Sequence, residues 1–363
     1  MRIVSFLARP QILFFTMPLL MVILTLGTLA QRYMGLHDAQ ALFFDSWILW
    51  IGPIPAPGMA TLCALIAVSL MCKLITKSPW SIPKGGIILT HLGVVLLLAG
   101  GLMTSLTAEE SFIMLREGET GSMVSDYHQR ELAIVKDEQV IKQWPMDQLR
   151  SGMDIQDAAL PFLLHIETFC RNCTPLVREG NDPRYKDLAA KLNLVPADLQ
   201  PQDEDNQAGI VVEVRGAGGD QDGIYLSHEV MPRKPAITHE GATYQIALRK
   251  VQRPLPFSIM LKAFEKQIHP GTDVAREYQS DIVVTESSGV SWPAIIRMNE
   301  PLRTQGYTLY QSSVIETQGE RFSVLAVVKN KGWLFPYIAC AVMAMGLIWH
   351  SVIRLRQAKG GAA

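Results

Sequence analysis

Four stretches of this chain contain no Asp, Glu, Lys or Arg: Pro10 to Gln31, Ser46 to Cys72, Gly85 to Ala108 and Trp333 to Ile353. A helix rises about 1.5 Å per residue, so about 20 apolar residues cross a hydrocarbon core of about 30 Å. Each run is long enough, and within such a core only a helix satisfies its own backbone. The expected spans are about 11–31, 58–76, 85–106 and one from 333, followed by a basic tail to 363. Net charge is −1 and 48% of residues are hydrophobic, averages that hide the partition. Most charged residues sit in one polar block, 107–332. The pattern describes a multi-pass membrane protein with one sizeable soluble domain rather than a soluble enzyme, and no nucleic-acid partner is expected.

The short flanks set the orientation. Arg2 and Arg9 precede the first run, Lys73, Lys77 and Lys84 lie between the second and third, and Arg354, Arg356 and Lys359 follow the fourth, with no acidic residue among them. The opposite connection carries Arg32 against Asp38 and Asp45. Cytoplasmic loops collect Lys and Arg, so both termini are expected in the cytoplasm and 107–332 outside. Arg2, Arg9, the apolar stretch and Thr28-Leu29-Ala30 also have the form of a cleavable signal peptide. The apolar run is long for one, and an uncleaved anchor is expected.

In "DSWILWIGPIPAPG", Trp47 and Trp50 suit the headgroup region, and Pro53, Pro55 and Pro57 cannot continue a helix. Residues 46–57 are therefore expected to form an outer-face interfacial segment. The polar block reads as β-rich: "ELAIVKD", "PFLLHIETF", "GIVVEVRG", "TYQIALRKV", "FSIMLKAFE", "SDIVVTE", "YTLYQSSVIE" and "RFSVLAVVK" are short, β-branched or aromatic, and separated by turn formers. A sandwich- or barrel-like domain follows. Residues 175–208 are charged and are expected to form an insertion, a short helix plus a solvated loop. Cys170 and Cys173 in "CRNC" are followed by Thr174, not His, so this is no haem-attachment motif; a local disulfide or spare thiols are expected.

One polar residue lies deep in the third run. Gly86, Gly93 and Gly100 recur every seven residues and offer a stripe for close helix approach. His91 lies roughly 160° away, among Ile87, Ile88, Val94, Val95, Leu98 and Leu102. Two roles remain open: a ligand or proton relay, or an imidazole bonded to a neighbouring carbonyl to stitch two helices. A neutral imidazole binds zinc, copper or haem iron. No second metal-ligating residue lies within four positions, and haem needs only one or two axial side chains in an apolar slot, so haem suits the setting better than a bare ion. His350, on a face with Met343 and Gly346 near the cytoplasmic end of the fourth run, is the other candidate ligand, with a structural role as its alternative.

"GGIILTHLGVVLLLAGGL" (85–102), "HPGTDVAREYQSDIVV" (269–284) and above all "IIRMNEPLRTQGYTLYQSSV" (295–314) resemble the ResB (CcsB) family of cytochrome c biogenesis proteins. So does the order of three spans, a β-rich domain and a last span. The resemblance is specific at about 85–125 and 255–350, and the chain is short for the family. Its most distinctive part is Asn299, Pro301, Leu302, Gly306, Tyr307, Tyr310, Gln311 and Ser312, residues that by themselves also make a turn and a strand.

The resemblance implies a System II subunit of the bacterial inner (plasma) membrane, non-catalytic or co-catalytic within a haem-lyase complex. It implies a ResC/CcsA-type partner, haem b as transported or transiently bound cargo, and apocytochrome c as recipient. A thiol-reducing thioredoxin-like protein is a further candidate partner. His91 matches the family's transmembrane haem ligand. Two rivals stand beside this reading: an electron-transfer subunit in which His91 and His350 hold a resident haem, and a scaffold whose outer domain only binds proteins.

Overall fold

Most of each apolar run becomes helix, the arrangement in which a single segment satisfies its own backbone. The computed structural model describes residues 2–76, 80–231, 233–271, 275–317 and 320–360. It contains α1 (Arg2–Leu7), α2 (Pro10–Ala39), α3 (Met59–Thr76), α4 (Gly85–Thr107) and α5 (Phe335–Gly360). Among the described residues, four segments are long and apolar enough to cross a membrane: Pro10–Phe44, Met59–Thr76, Ile82–Thr107 and Phe335–Ala358. The chain divides into two compact units. The first is Met1–Glu109 with Arg303–Thr308 and Val328–Ala363; the second is Glu110–Leu302 with Leu309–Val327.

In the helical unit, α2 runs well past the expected end at 31. Gly35 interrupts it at φ 77, a left-handed conformation that glycine adopts without steric cost. Beyond it the chain winds through a π-helical turn, Gln40–Phe44, and comes back on itself. A Cβ added at Gly27 would lie 2.6 Å from the Phe44 ring, so the aromatic pair Phe43–Phe44 packs where only a glycine leaves room. The expected interfacial segment is a hairpin, β1 (Ile48–Ile51) with β2 (Ile54–Pro57), turning at Gly52. Its Trp47 carbonyl accepts from the Gly58 amide at 2.9 Å and the Thr61 hydroxyl at 2.6 Å, which fixes the hairpin to the start of α3. At the other end of α3, Ser69 donates to the Leu7 carbonyl at 2.8 Å and holds α1. Lys77, in the expected basic link, and the last three residues lie outside the described residues. A 3-10 turn, Ile82–Lys84, leads into α4.

The polar block folds into strands. In chain order these are β3 (Glu109–Arg116), β4 (Thr120–Lys136), β5 (Gln139–Pro145), β6 (Asp154–Ile155), β7 (Leu163–Cys170), β8 (Cys173–Val177), β9 (Leu192–Pro196) and β10 (Gly209–Arg215). They continue with β11 (Gly223–His228), β12 (Ala236–His239), β13 (Ala242–Ile268), β14 (Ala275–Glu286), β15 (Ser291–Arg297), β16 (Leu302–Thr304), β17 (Tyr307–Thr317) and β18 (Glu320–Lys329). A ten-stranded sheet has the order β15-β14-β13-β4-β3-β18-β17-β16, with β12 on β13 and β5 on β4; a four-stranded sheet has the order β11-β10-β7-β6. Alternating residues make the core between them: Leu132 and Ile134, Leu164 and Ile166, Ile210 and Val212, Ile246 and Leu248. The β-rich expectation holds. "TYQIALRKV" and "FSIMLKAFE", however, are one strand, β13. Pro254 and Pro256 lie where its register on β4 jumps, a place for residues that cannot donate to the ladder.

Residues 175–208 differ from expectation. No α-helix forms there. β8 and β9 pair as a hairpin, and "DLAA" makes only the 3-10 turn Asp187–Ala190, with Asp187 at φ 50. The cause is tertiary. The Arg178 guanidinium stacks 3.5 Å above the Tyr185 ring, and buried Ala189 and Leu194 join a second small core with Val211 and Leu226. The Cys170–Cys173 disulfide sits in that core.

Candidate functional site

α4 presents two unlike sides. Gly86, Gly93 and Gly100 are its buried residues, and all three face α5. A Cβ at Gly86 would lie 2.5 Å from the Gly346 carbonyl oxygen and 2.5 Å from the His350 amide nitrogen; one at Gly93 would strike Met343, and one at Gly100 would strike Phe335. Gly346 answers Gly86, since its own Cβ would lie 2.7 Å from the Gly86 oxygen. The backbones thus touch, as small-residue stripes permit. Past the helix end, Asn330 accepts from Thr104 at 3.2 Å and from the Gly332 amide at 2.7 Å.

His91 lies on the other side of α4. Its Nδ1 is 2.7 Å from the Ile87 carbonyl oxygen, one turn back on the same helix. A carbonyl only accepts, so Nδ1 carries a proton, and in the neutral ring Nε2 keeps its lone pair. Metal-ligating histidines have this arrangement: one ring nitrogen donates to a carbonyl, which fixes the tautomer and leaves the other to coordinate. The stitching alternative required a carbonyl on a second helix, and this bond stays within α4. The ring is half-exposed, and Ile87 and Leu102 on its face are open. Among the described residues no three His, Cys, Asp or Glu side chains gather into a metal site. A metal brought with its own equatorial ligands, as in haem, asks only for this single imidazole or one more.

His350 sits at the far end of α5 and lines a concavity of about 170 Å³ with Lys84, Ile87, Arg354 and Gln357. Its Nδ1 is buried without a hydrogen-bond partner. His350 packs at the level of Gly86, five residues below His91, which is about 7.5 Å along the helix axis. The two histidines therefore occupy different levels of the α4–α5 pair. The sequence marks Lys84 and Arg354 only as basic flanks, not as site residues, and does not mark Gln357. The signal was present in the basic flanks, because α4 and α5 run antiparallel and bring the Lys84 and Arg354 ends together.

The distinctive 299–312 motif is a piece of architecture. Gln305 (φ 47) and Gly306 (φ 82) form the two-residue turn between β16 and β17, of the kind that requires positive φ at both positions. Asn299 is exposed in the turn closed by Arg297 and Glu300, and Pro301 and Leu302 are half-buried after it. The Lys329 ammonium lies 5.4 Å from the Tyr307 ring centre. Gln311 is buried and accepts from Ser280 at 2.6 Å while donating to Ser323 at 3.1 Å, a polar clamp between β14, β17 and β18. Tyr310 points to solvent.

Residues 223–321, which include this motif, match the ResB-like family. Over that stretch the chain is similar to ResB-like proteins. It is also similar to protein NrfI of Wolinella succinogenes, at 23% identity over 93% of this chain and 34% of NrfI. The chain spans about a third of the length of that curated relative. His91 precedes the ResB-like stretch but falls within the coverage of the similarity to NrfI taken over nearly the whole chain.

The strongest electrostatics of the β-rich unit join the ResB-like stretch to the strands before it. Arg130 is buried, and each of its guanidinium nitrogens is engaged: Nε with Glu229 at 2.7 Å, Nη1 with Asp203 at 2.8 Å, and Nη2 with the carbonyls of Asp203 and Asn206. Burial alone would raise the Asp203 carboxyl, but hydrogen bonds from His128 and Arg130 and their charge hold it well below the usual carboxylate range. Lys234 donates to the His228 and Glu229 carbonyls, and burial pushes its ammonium below the ordinary lysine range. The acidic run at 203–206, expected as a solvated loop, is therefore the lid of a buried ion-pair network.

Proposed function

We propose that this chain is a membrane subunit of a System II cytochrome c biogenesis complex, one that holds haem and passes it, with a ResC/CcsA-type partner, to apocytochrome c. The observation that carries the reading is the His91 imidazole, proton fixed on Nδ1 by Ile87 and Nε2 free on an aliphatic helix face. The ResB-like match and the four apolar segments support it. In this reading α4 lies in the bacterial inner membrane, both termini are cytoplasmic, and the β-rich unit is extracytoplasmic.

Each part of the chain then has a task. His91 would supply one nitrogen to the haem iron, and its bond to Ile87 would orient the ring before haem arrives. Ile87, Val94, Val95 and Leu98 exclude water from one porphyrin face. The glycine contact with α5 holds α4 from behind. The partner supplies what this chain lacks on the open side, so the subunit is co-catalytic, with covalent attachment completed elsewhere in the complex. The test is the absorption spectrum of the full-length protein purified with its partner membrane subunit. A Soret band that co-purifies with the pair is expected; a pair isolated intact and free of haem from haem-replete cells would refute the proposal.

A further inference from the structure

We infer that the concavity between the Lys84 end of α4 and the Arg354 end of α5 is an oxyanion subsite, taking a carboxylate or phosphate of a ligand whose apolar body lies against α4. Its wall carries the donors Lys84, Arg354 and Gln357 beside His350 and Ile87. Asp and Glu are absent from 46–108 and from 321–363, so α3, α4 and α5 offer these cations no carboxylate. His350 adds a buried, unpartnered Nδ1 to the same wall. A buried polar atom without a partner is costly, and a ligand oxygen or its hydration water relieves that cost.

The position along α4 gives the subsite its meaning. Lys84, Ile87 and His91 are spaced i, i+3 and i+7, one face of a helix, with Lys84 about 10 Å from His91 along the axis. Ile87 belongs to both places: it lines the concavity, and its carbonyl receives the His91 proton. A flat apolar body centred at His91, with acid groups on one edge, would reach the cations with those groups. Resting on the haem-handling reading, this assigns haem an orientation, propionates toward the basic end of α4. A phospholipid headgroup phosphate presents the same chemistry at the same depth.

The experiment compares the full-length protein with K84Q/R354Q and with the charge-keeping K84R/R354K, each purified with the partner membrane subunit. Haemin and haemin dimethyl ester, whose propionates carry no charge, are titrated and read by the Soret shift. Retention of phosphatidylglycerol against phosphatidylcholine is read by mass spectrometry after reconstitution in mixed vesicles. The wild type and K84R/R354K should bind haemin about tenfold or more tighter than its ester, and K84Q/R354Q should bind the two alike. Loss of phosphatidylglycerol retention in K84Q/R354Q, with the haemin preference unchanged, keeps the oxyanion subsite and makes lipid its occupant. Neither change overturns the subsite. A wild type that binds neither haemin nor its ester sinks the haem-handling reading, while the lipid arm still decides the subsite.

Discussion

Replacing Gly86 with alanine should separate α4 from α5, and Gly101 supplies the control on the same helix. The new methyl at Gly86 would lie 2.5 Å from the Gly346 oxygen and the His350 nitrogen, and 2.9 Å from the His350 Cα. These are backbone atoms, and no rotamer moves them aside. Ordinary contact begins near 3.5 Å, so the helices must part by roughly 1 Å. Overpacking of this kind costs about 1–3 kcal/mol, a factor of roughly 5–150 in the unfolding equilibrium. At Gly101 an added Cβ meets nothing within 4 Å, and exchanging glycine for a better helix former should be neutral or stabilising by up to about 1 kcal/mol. SDS titration of the detergent-purified chain, followed by helical circular dichroism, reads both variants against wild type. An unfolding midpoint for Gly86→Ala at or above that for Gly101→Ala would refute the close approach of α4 to α5.

Four further outcomes follow from the same physical arguments. Arg130→Ala removes the guanidinium that Asp203 and Glu229 share, leaving Asp203 only its contact with His128, and should cost about 3–5 kcal/mol in a chemical melt of the full-length protein. Because the folded Asp203 carboxyl is held low, its stabilisation is present above the unfolded value of about 3.9 and is lost as pH falls below it. The stability gap between wild type and Asp203→Asn should thus stay level from pH 7 to 5, begin to shrink below about 4 and close only as the pH falls through the much lower range of the folded carboxyl; a gap at pH 3 as large as at pH 7 contradicts the network. Replacing Cys170 and Cys173 with Ser opens a four-residue loop and should cost about 2 kcal/mol, seen as faster proteolysis of the β8–β9 hairpin, while holocytochrome levels stay nearly unchanged. Reporter fusions after Thr107 and after Gln357 should report opposite compartments, and the same compartment for both would overturn the four-span topology.

The helices were legible because about 20 apolar, charge-free residues without a proline cluster favour a helix that satisfies its own backbone, whereas Pro53, Pro55 and Pro57 turn the start of the second run into a hairpin. The glycine period in α4 named the side that α5 covers. The extension of α2 was hidden by Arg32, His37 and Asp38, which read as a polar connection although Gly35 turns the chain back onto Gly27. "DPRYKDLAAKL" has helix-forming residues locally, and the contacts that override it, Arg178 on Tyr185 and the β8–β9 pairing, come from tertiary structure. Arg130 and its partners lie 73 and 99 residues apart in sequence, beyond the reach of any local pattern. At the candidate site the residue was legible and its state was not. An imidazole on an aliphatic face marks His91, but only the 2.7 Å contact with the Ile87 carbonyl says which nitrogen is free.

In the proposed function His91 offers Nε2 to haem iron. Its one recorded hydrogen bond lies within α4, so His91→Ala removes no tie between helices, and the loss of an intramembrane hydrogen bond costs only about 0.6–2 kcal/mol. The decisive measurement is haem content per complex in His91→Ala, purified with and without imidazole in the medium. The account predicts wild-type abundance, loss of haem without imidazole, and recovery when free imidazole occupies the vacated slot and coordinates the iron. Full haem occupancy in the alanine variant without imidazole would contradict it.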